Sequence, residues 1–373
     1  MFNRCDTLVL GAGIVGRAAA WDLKRRGHEV TIADVDPFAV DQAAGNLSIA
    51  SATIDVADDR AVRNLMSNRG AVISAVPYAF GVGLATTAVD AGCHYFDFGG
   101  NPTIVKRQVQ LDAAAAAADV AVVPDCGLAP GLANVMAKGL IEGSSATRID
   151  SVQIRVGCLP QHPKGALNYQ LAFYPGGLIN EYAEPCEIIE DGVARTVEPL
   201  TRFEDVAWDR WGPLEAFSTA GGTSTMCRDY AGRVRALEYK TLRYPGHGII
   251  FQAMRELGLF DEEPRHVGDA TVAPRSVLLD LLAANLPAGA PDVVLVRVEM
   301  TAGGDVSALE IEDVHDGTYS ALARTTAFPA TALCDLMMRG EVGFRGAAAM
   351  TAVAPVGALL DELGETGISV VRR

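Results

Sequence analysis

Residues 6–34 read DTLVLGAGIVGRAAAWDLKRRGHEVTIAD, and this stretch decides the fold. The apolar run DTLVL leads into Gly11-Ala12-Gly13-Ile14-Val15-Gly16, which is followed by a segment with helical spacing and a second apolar run ending in Asp34. A G-x-G-x-x-G turn between a strand and a helix, with an acidic residue about 20 positions later, is the fingerprint of dinucleotide binding. We therefore predict that the chain begins with a Rossmann domain.

Each glycine of this turn has its own physical role. Gly11 permits the tight turn, Gly13 lets the backbone approach the pyrophosphate, and Gly16 lets the helix pack closely on the strand. The whole hexapeptide is predicted to hold the phosphates through backbone N–H groups and the positive end of the helix dipole. Asp34 would accept hydrogen bonds from both ribose hydroxyls and repel a 2′-phosphate, so we predict NAD rather than NADP as the cofactor.

Strand-like and helix-like segments alternate as far as residue 124. Such alternation requires right-handed crossovers and a parallel sheet that is covered on both faces. Six strands complete a doubly wound dinucleotide-binding fold. The predicted strands are 6–10, 29–33, 48–54, 71–76, 94–98 and 120–124, and the predicted helices are 14–26, 37–45, 58–69, 80–91 and 101–118.

The pattern changes after Pro130-Gly131. A helix over 131–142 precedes the strand-like run SVQIRVGCLP, and the runs 293–301 and 305–313 are typical of antiparallel neighbours joined by a Gly-Gly turn. We predict an α/β chain with a doubly wound Rossmann domain over 1–130, on which the tail 328–373 packs. A second α+β domain with an open mixed sheet, over 131–327, would serve substrate binding and dimerisation.

Composition excludes several classes of function. A net charge of −15, spread along 373 residues, disfavours binding to nucleic acid or to anionic lipid. Mean hydropathy is +0.19, yet no apolar run reaches the roughly 20 residues of a membrane helix. The N-terminus lacks the pattern of a signal peptide, so a cytoplasmic protein is expected. Seven scattered cysteines without a Cys-x-x-Cys pair predict neither a metal site nor a disulfide framework.

Position after the predicted strands indicates further cofactor contacts. Asp55 and Val56 follow the third strand, where such folds contact adenine. Ala75-Val76-Pro77 lie at the end of the fourth strand, near the expected ribose of the nicotinamide half. For the next residue, Tyr78, packing in the core is as good an interpretation as contact with the cofactor.

Six segments beyond the glycine-rich turn point together to one family. They are SAVPY (74–78), GCHYFDFGG (92–100), DCGLAPGLAN (125–134), CLPQHP (158–163), FYPGGLINEYAEP (173–185) and KTLRYPGH (240–247). Secondary structure alone does not explain the residue order of CGLAPGL or KTLRYPGH. Together the segments resemble the saccharopine dehydrogenase-like oxidoreductases, and within them most closely the lysine 6-dehydrogenases.

This resemblance implies an NAD(P) domain, an inserted α+β domain and the oxidation of an amine to an imine. In lysine 6-dehydrogenases the ε-amino carbon of lysine gives hydride to NAD, and water hydrolyses the imine. We accordingly predict NAD-dependent oxidative deamination of an amino-acid primary amine, first of all L-lysine, by a homodimer. The alternatives are NAD(P)H-dependent condensation of an amine with an aldehyde or keto acid, and a nucleotide sensor without enzymatic activity.

Two departures from the saccharopine-reducing branch favour a small substrate. That branch carries an acidic substrate ligand at the position of Ala129 and a carboxylate-binding arginine near the position of Gly222. Without these partners, the ionic groups of saccharopine would be left unpaired, at about 2–5 kcal/mol each.

The resemblance also implies the substrate contacts. Gly99-Gly100 and Lys240-Thr241 would contact the substrate, and Phe173-Tyr174 would flank it and the nicotinamide. Either Lys240 or Arg243 would hold the α-carboxylate, although for both a solvated surface charge is an equally good interpretation.

The proton acceptor is the least determined of the predicted groups. The candidates are His247, Tyr244, Asp97, Glu181 and Glu184, of which we select the first three as catalytic. His247 titrates in the useful range without help from its surroundings. Asp97 ends a predicted parallel strand, at the edge where open sheets bind ligands.

Overall fold

The glycine-rich turn lies between a buried strand and a helix, as its sequence predicts. In this computed structural model, which describes residues 6–373, strand β1 (Asp6–Leu10) is followed by helix α1 (Ile14–Arg25). The last turn of α1 contains Lys24 and Arg25, whose charges suit the negative end of the helix dipole. Gly27, with a φ of +89°, then turns the chain into β2 (Glu29–Asp34).

The remaining strands are short in the N-terminal third, and beyond it they range from two to 12 residues. They are β3 (Ala50–Thr53), β4 (Ala71–Ser74), β5 (His94–Asp97), β6 (Ala121–Val123), β7 (Ile149–Pro160), β8 (Cys186–Glu190), β9 (Val193–Val197), β10 (Glu204–Trp208), β11 (Gly212–Ser218), β12 (Val234–Arg243), β13 (Arg265–Val267), β14 (Ala270–Val272), β15 (Asp292–Ala302), β16 (Asp305–Val314), β17 (Gly346–Ala347) and β18 (Val371–Arg372).

Several helices begin at residues that suit a helix N-terminus. The side chains of Asp36, Asp58 and Asn101 accept backbone N–H bonds from the first turns of three of them. The helices after α1 are α2 (Pro37–Leu47), α3 (Asp59–Met66), α4 (Gly81–Ala91), α5 (Pro102–Val109), α6 (Asp112–Ala117), α7 (Leu132–Gly143), α8 (Pro175–Ala183), α9 (Met226–Asp229), α10 (His247–Glu256), α11 (Pro274–Asn285), α12 (Ala321–Met338), α13 (Met350–Val353) and α14 (Val356–Gly364).

The chain divides into two compact units. The first unit contains the residues up to Glu142 together with Ala323–Val370, and the second contains Gly143–Leu322 together with Val371–Arg373. The first unit is therefore built from both ends of the chain. Its limits lie near the predicted domain limits at 130 and 328, but not at the same residues. Within residues 6–373, no helix is long and apolar enough to cross a bilayer.

The sheet of the first unit has the doubly wound topology. Its order is β17-β6-β5-β4-β1-β2-β3, and all neighbours are parallel. The strand order runs from β1 to β3 on one side and from β4 to β6 on the other, and such sheets bind dinucleotides at the point where the order changes, between β1 and β4. The seventh strand, β17, was not predicted, because two residues show no periodicity. The predicted strand 48–54 is the edge strand β3, and its side chains are mostly exposed rather than buried.

The second unit contains a mixed sheet of nine strands. Its order is β10-β11-β12-β7-β15-β16-β18, and β8 pairs with β12 and β9. Strands β12 and β7 are parallel, and the other pairs are antiparallel. Gly303 and Gly304, with φ values of +60° and +92°, join β15 to β16. This confirms the predicted Gly-Gly turn and the open mixed sheet.

The two faces of strand β12 meet different surroundings. Side chains alternate along a strand, so Thr241 and Arg243 lie on one face and Lys240 and Leu242 on the other. Thr241 is opposite Phe217, which packs in an aromatic cluster with helices α8 and α10. Leu242 belongs to a separate apolar cluster on the other face of the sheet.

Candidate functional site

The glycine-rich turn after β1 has the geometry of a phosphate-binding loop. Gly11 has a φ of +102°, and a Cβ there would meet the Ala75 carbonyl oxygen at 2.5 Å. A Cβ on Gly16 would meet the Gly11 carbonyl oxygen at 1.9 Å. A Cβ on Gly13, in contrast, would meet no atom within 4 Å. The fold itself thus requires Gly11 and Gly16, whereas Gly13 borders open space.

Helix α1 begins at this open space. Gly13 is its N-cap, no side chain of residues 6–373 bonds to its first amides, and no acidic residue lies in its first turn. Ile14 is exposed and Val15 half-buried. Free N–H groups and the positive end of the helix dipole are the features that bind a diphosphate. The residues present therefore fit a nicotinamide dinucleotide.

Asp34 is tied to the glycine-rich turn through two backbone amides. Its Oδ2 accepts the N–H of Ala12 at 2.6 Å, and its Oδ1 accepts the N–H of Asp36 at 3.0 Å. A carboxylate oxygen accepts more than one hydrogen bond, so both oxygens retain capacity for ribose hydroxyls. The half-buried carboxylate is thereby held at the end of β2, beside the phosphate-binding loop.

A pocket of about 160 Å³ lies at the C-terminal ends of β4 and β5. This is the edge of a doubly wound sheet at which ligands bind. The structure brings together here five residues that the sequence assigns to the site: Val15, Ala75, Val76, Asp97 and Gly99.

Tyr78 also lines this pocket. Its side chain is 39% exposed, which fits contact with a ligand better than packing in the core. Pro77, Asp55 and Val56 do not line the pocket: Pro77 and Asp55 are exposed, and Val56 is half-buried after β3. The Asp55 carboxylate accepts the N–H of Ala57 at 2.9 Å.

Asp97 is buried beside the pocket and shapes it. Burial raises the pKa of its carboxyl, although hydrogen bonds from Gln108 Nε2 and the Gly99 N–H act in the opposite direction. The Gly99 bond, of 2.9 Å, stabilises a turn in which Gly99 and Gly100 have φ values of +67° and +99°. Both carboxylate oxygens are thus engaged, which fits a role in holding this turn better than the predicted catalytic role.

Phe173 and Tyr174 lie in the second unit, at the start of α8. Tyr174 is 72% exposed, whereas Phe173 is half-buried against the aromatic cluster of that unit. The pair predicted to flank the nicotinamide is therefore carried by a different unit from the glycine-rich turn.

Lys240 lies in an ion network and not at a free surface. Its Nζ donates to Glu204 at 2.7 Å and lies 3.5 Å from Glu238, and Arg155 pairs with the same two carboxylates. The Lys240 side chain is only 6% exposed. These contacts do not fit the predicted role of Lys240 as the ligand of a substrate carboxylate, because its charge is already balanced.

Arg243 is buried on the opposite face with one edge unbonded. Its Nε donates to Tyr182 Oη at 3.1 Å and its Nη1 to the Leu242 carbonyl at 3.0 Å. Its Nη2 makes no hydrogen bond to any residue in the range 6–373, and Glu181, at 4.0 Å, is its paired carboxylate. The ring of Tyr169 lies 5.2 Å from the guanidinium carbon. A buried cation with an unbonded edge is suited to bind a carboxylate.

Glu181, on α8, has the properties of a proton acceptor. Burial raises the pKa of its carboxyl to about 7, although the charge of Arg243 acts in the opposite direction. The side chain nevertheless remains 34% exposed, so it lies in a recess and not in a closed core. A carboxyl that titrates near neutral pH and remains accessible is suited to general base catalysis.

His247 is placed differently from the predicted catalytic base. It is the first residue of α10 and only 1% exposed, and both ring nitrogens are engaged: Nδ1 with the Leu167 carbonyl and Nε2 with the Tyr182 hydroxyl, each at 3.0 Å. Burial, aided by the charge of Arg243, lowers the pKa of its ring to about 3. These contacts do not fit a residue that takes a proton from a substrate.

The remaining candidates for the proton acceptor have structural contacts. Tyr244 is half-buried, its hydroxyl donates to the Pro160 carbonyl at 3.0 Å, and burial raises its pKa. Glu184 is the C-cap of α8, and burial raises the pKa of its carboxyl while the charge of Arg275 acts in the opposite direction. Of the two carboxyls on this segment, Glu181 is the one paired with Arg243.

Tyr239 and Thr241 complete the row of side chains on the Arg243 face of β12. Thr241 Oγ1 lies 2.7 Å from Thr219 Oγ1. A Cβ on Gly222 would meet the Tyr239 ring at 2.4 Å. The position near which the saccharopine-reducing branch carries an arginine therefore has no room for a side chain here.

Sequence reasoning did not select two of these groups. Tyr182 was not considered, because a tyrosine within a helix gives no signal of its own. Glu181 was one of five candidates, and only its burial and its distance from Arg243 distinguish it. Among residues 6–373, no group of three or more His, Cys, Asp or Glu side chains is arranged to hold a metal ion.

Comparison with known proteins relates the whole chain to one family. Residues 7–123 match the family model of the saccharopine dehydrogenase NADP binding domain, and residues 127–368 match that of the saccharopine dehydrogenase C-terminal domain. The alpha-aminoadipic semialdehyde synthase of Arabidopsis thaliana is 23% identical over 300 residues, which cover 72% of this chain and 28% of that protein. The chain thus spans 28% of the length of this relative.

A solved structure confirms the fold. The apo histidine-tagged saccharopine dehydrogenase (L-Glu forming) of Saccharomyces cerevisiae superposes with a TM-score of 0.80 at 17% sequence identity. The match covers 98% of this chain and 99% of that chain. The predicted fold class, a Rossmann sheet followed by a mixed α+β domain, is therefore correct.

Proposed function

Because the chain belongs to the saccharopine dehydrogenase family, we propose that it oxidises the primary amine of an amino acid with NAD as the hydride acceptor. L-Lysine, oxidised at its ε-amine, is the first substrate to test. The observation that carries this proposal is the buried guanidinium of Arg243, with an unbonded edge, beside an accessible carboxyl of pKa about 7 on Glu181.

The dinucleotide, when bound, supplies a nicotinamide ring that accepts hydride. In the first unit, the glycine-rich turn and the first amides of α1 would hold its diphosphate, and Asp34 would hold the adenosine ribose. Tyr78 and the Gly99 turn line the pocket at the ends of β4 and β5. This pocket is the proposed place of the nicotinamide half.

In the second unit, Arg243 would anchor the substrate carboxylate. Its Nη2 edge offers N–H donors, and Nε and Nη1 are fixed by their own acceptors. Glu181 would take the proton that the ammonium group must lose before its carbon can give up hydride. Addition of water to the resulting imine then releases ammonia and an aldehyde.

Reductive condensation of an amine with an aldehyde or keto acid is the second candidate. It is supported by the family itself, because the matching structure from yeast is described as a saccharopine dehydrogenase that forms L-Glu. The space filled by Tyr239 next to Gly222 argues against it, since a substrate with three carboxylates needs more cationic partners.

Asp34 supports NAD over NADP, although the family model is named after NADP. A 2′-phosphate would approach the Asp34 carboxylate, with Asp36 two residues away, and like charges would repel each other. We expect kcat/KM to be higher with NAD than with NADP. A preference for NADP would contradict this cofactor assignment but would leave the proposed oxidation of an amine unchanged.

A panel of amino acids and diamines tests the proposed reaction. Each is mixed with NAD or NADP, and reduction is followed at the absorbance of the reduced nicotinamide. Pairs of amines with aldehydes or keto acids are tested in parallel with the reduced cofactor. The proposal expects reduction with a primary amino acid, lysine first, while oxidation of the reduced cofactor by amine–carbonyl pairs alone would favour the second candidate.

A further inference from the structure

We infer that His247 and Tyr182 are positioning residues, which aim the guanidinium of Arg243 at the carboxylate of the substrate through a hydrogen-bond chain of fixed direction. This inference rests on the proposed function, because it concerns the group that would anchor the substrate.

The direction of the chain follows from its ends. The Leu167 carbonyl can only accept, so His247 Nδ1 must donate to it across 3.0 Å. A neutral ring then has an unprotonated Nε2, which must accept the Tyr182 hydroxyl proton across 3.0 Å. The Tyr182 oxygen is left to accept from Arg243 Nε at 3.1 Å. Every group in the chain therefore has one permitted role.

The hydrogen-bond chain can keep this donor-to-acceptor direction because the imidazole of His247 stays neutral. Burial lowers the pKa of His247 to about 3, and burial also raises the pKa of Tyr182 above its usual range. Both shifts favour the uncharged form of the side chain at neutral pH.

The position of His247 is itself fixed by its neighbours. Glu215, on β11, accepts the N–H groups of Gly246 and Gly248, on either side of the histidine, at 2.9 and 2.6 Å. The ring of Phe251 stacks on the imidazole with a centroid distance of 4.7 Å. The start of α10 is thereby a rigid support for the chain.

The consequence for Arg243 is a single available edge. Nε is held by Tyr182, Nη1 is held by the Leu242 carbonyl, and the Tyr169 ring lies against the guanidinium. Rotation of the guanidinium would break both bonds in a buried site, where an unpaired donor is costly. Nη2 and the second N–H of Nη1 then form the edge that can donate to a ligand, and the hydrogen-bond chain fixes where a carboxylate would bind.

The test compares ligands with and without a carboxylate. The complex of the enzyme with the reduced cofactor is titrated with L-lysine and with 1,5-diaminopentane, which is lysine without its carboxylate, and quenching of cofactor fluorescence reports binding. For wild type we expect tighter binding of lysine. Tyr182→Phe should weaken lysine binding about tenfold or more, because a hydrogen bond to a charged group contributes a free energy of that size. The same variant should change diaminopentane binding less than twofold.

Two variants of His247 separate positioning from packing. In His247→Gln the amide oxygen can still accept the Tyr182 hydroxyl, whereas His247→Asn is too short to do so. We expect lysine binding to be largely retained in His247→Gln and lost in His247→Asn, as in Tyr182→Phe. The effect should appear in KM for lysine more than in kcat, with KM for the dinucleotide unchanged.

Thr331→Val is the matched control, since it removes a buried hydroxyl that donates to Asp22 at 2.6 Å in the first unit. It should lower the Tm and leave both affinities unchanged. Equal loss of lysine and diaminopentane binding in Tyr182→Phe, or no preference of wild type for lysine, overturns the inference. Selective loss of lysine binding in an enzyme that oxidises no amine would support the inference and refute the proposed reaction.

Discussion

At the scale of single residues, the alternation of side chains along β12 places Lys240 and Arg243 in different surroundings. Lys240 and Arg243 are three positions apart, so they point to opposite faces of the sheet. Lys240 enters a balanced network with Glu204 and Glu238, whereas Arg243 enters an aromatic site with one distant carboxylate. From the sequence, both residues are equal candidates for binding a carboxylate. Only the surroundings of each face of the sheet, which the sequence does not show, distinguish them.

Glu181 gives rise to a prediction about activity and pH. Because its pKa is raised to about 7, the carboxylate form prevails above pH 7 and is lost as the pH falls. We expect kcat/KM of wild type to rise with pH up to about 7 and then to level off. Glu181→Gln should lower kcat about 100-fold or more, in line with the loss of a general base, and should remove this rise.

The measurement is a pH profile of initial rates between pH 5.5 and 9. Glu184→Gln, one helical turn further along the chain, serves as the control and should keep the profile of wild type. Retention of both the rate and the rise in Glu181→Gln would mean that another group accepts the proton.

His247 shows where reasoning from single residues fails. Pro-Gly-His-Gly is typical of an exposed loop, and a histidine there would titrate near neutral pH. In the structure it begins α10 and is covered by Tyr182, Tyr169 and Phe251. Phe251 is on the same helix, four residues after the histidine, but Tyr169 and Tyr182 come from distant parts of the chain, and nothing local to the histidine predicts their approach.

At the scale of elements, the turn between β1 and α1 was predictable because its constraints are local. Three glycines, one strand and one helix within 20 residues specify the close approach of Gly16 to the Gly11 carbonyl oxygen, whereas the close approach at Gly11 is to the distant Ala75. The second unit was less predictable. Helices α8, α10 and α11 pack their aromatic and aliphatic faces on a sheet whose strands are far apart in sequence. The periodicity of a short segment therefore does not predict this packing.

The glycines of this turn give rise to a paired prediction. Gly13 has φ −70° and ψ −172°, which alanine adopts without strain, and its Cβ would enter only open space. Gly13→Ala should therefore keep the Tm of wild type but weaken dinucleotide binding about tenfold or more, because the methyl group separates the diphosphate from its N–H donors. Gly16→Ala should lower the Tm, since its Cβ would overlap the Gly11 carbonyl oxygen.

Thermal unfolding and titration with NADH measure both effects. A Gly13→Ala variant that binds NADH as tightly as wild type would show that the diphosphate does not lie at this turn.

At the scale of the whole molecule, the first unit depends on the C-terminal part of the chain. Asp335, on α12, pairs with His28 at 2.9 Å, Arg339 at 3.0 Å and Arg26 at 3.5 Å, and Arg26 also pairs with Glu362 on α14. The sequence predicted that the tail packs on the first domain, but not that a network of charges would join it to the end of α1.

Asp335→Asn should destabilise the protein by about 3 kcal/mol, because His28 would lose its carboxylate partner in a buried site and Arg26 would lose one of its three. Asp90→Asn, which breaks an exposed pair with Arg63, is the control and should cost less than about 1 kcal/mol. Urea unfolding of the three proteins measures the difference. Equal stability of Asp335→Asn and wild type would contradict this account of the network.

The same network has a pH dependence of known sign. Burial alone would raise the pKa of Asp335, but the hydrogen bond from His28 and the charges of Arg339 and Arg26 outweigh it, so the pKa is lowered. This stabilisation is present above the ordinary pKa of an aspartate and is lost as the pH falls below it. Asp335→Asn should therefore lose less stability than wild type on acidification from pH 6 to pH 3.

The central claim is that an amine carbon of an amino acid gives its hydride to a nicotinamide dinucleotide on this protein. The most direct measurement uses L-lysine deuterated at C6 together with NAD, with mass spectrometry of the reduced cofactor and determination of ammonia. The account predicts one deuterium in the reduced cofactor and one ammonia for each molecule formed. Reduced cofactor without deuterium and without ammonia, or no reduction with any amino acid tested, would contradict it.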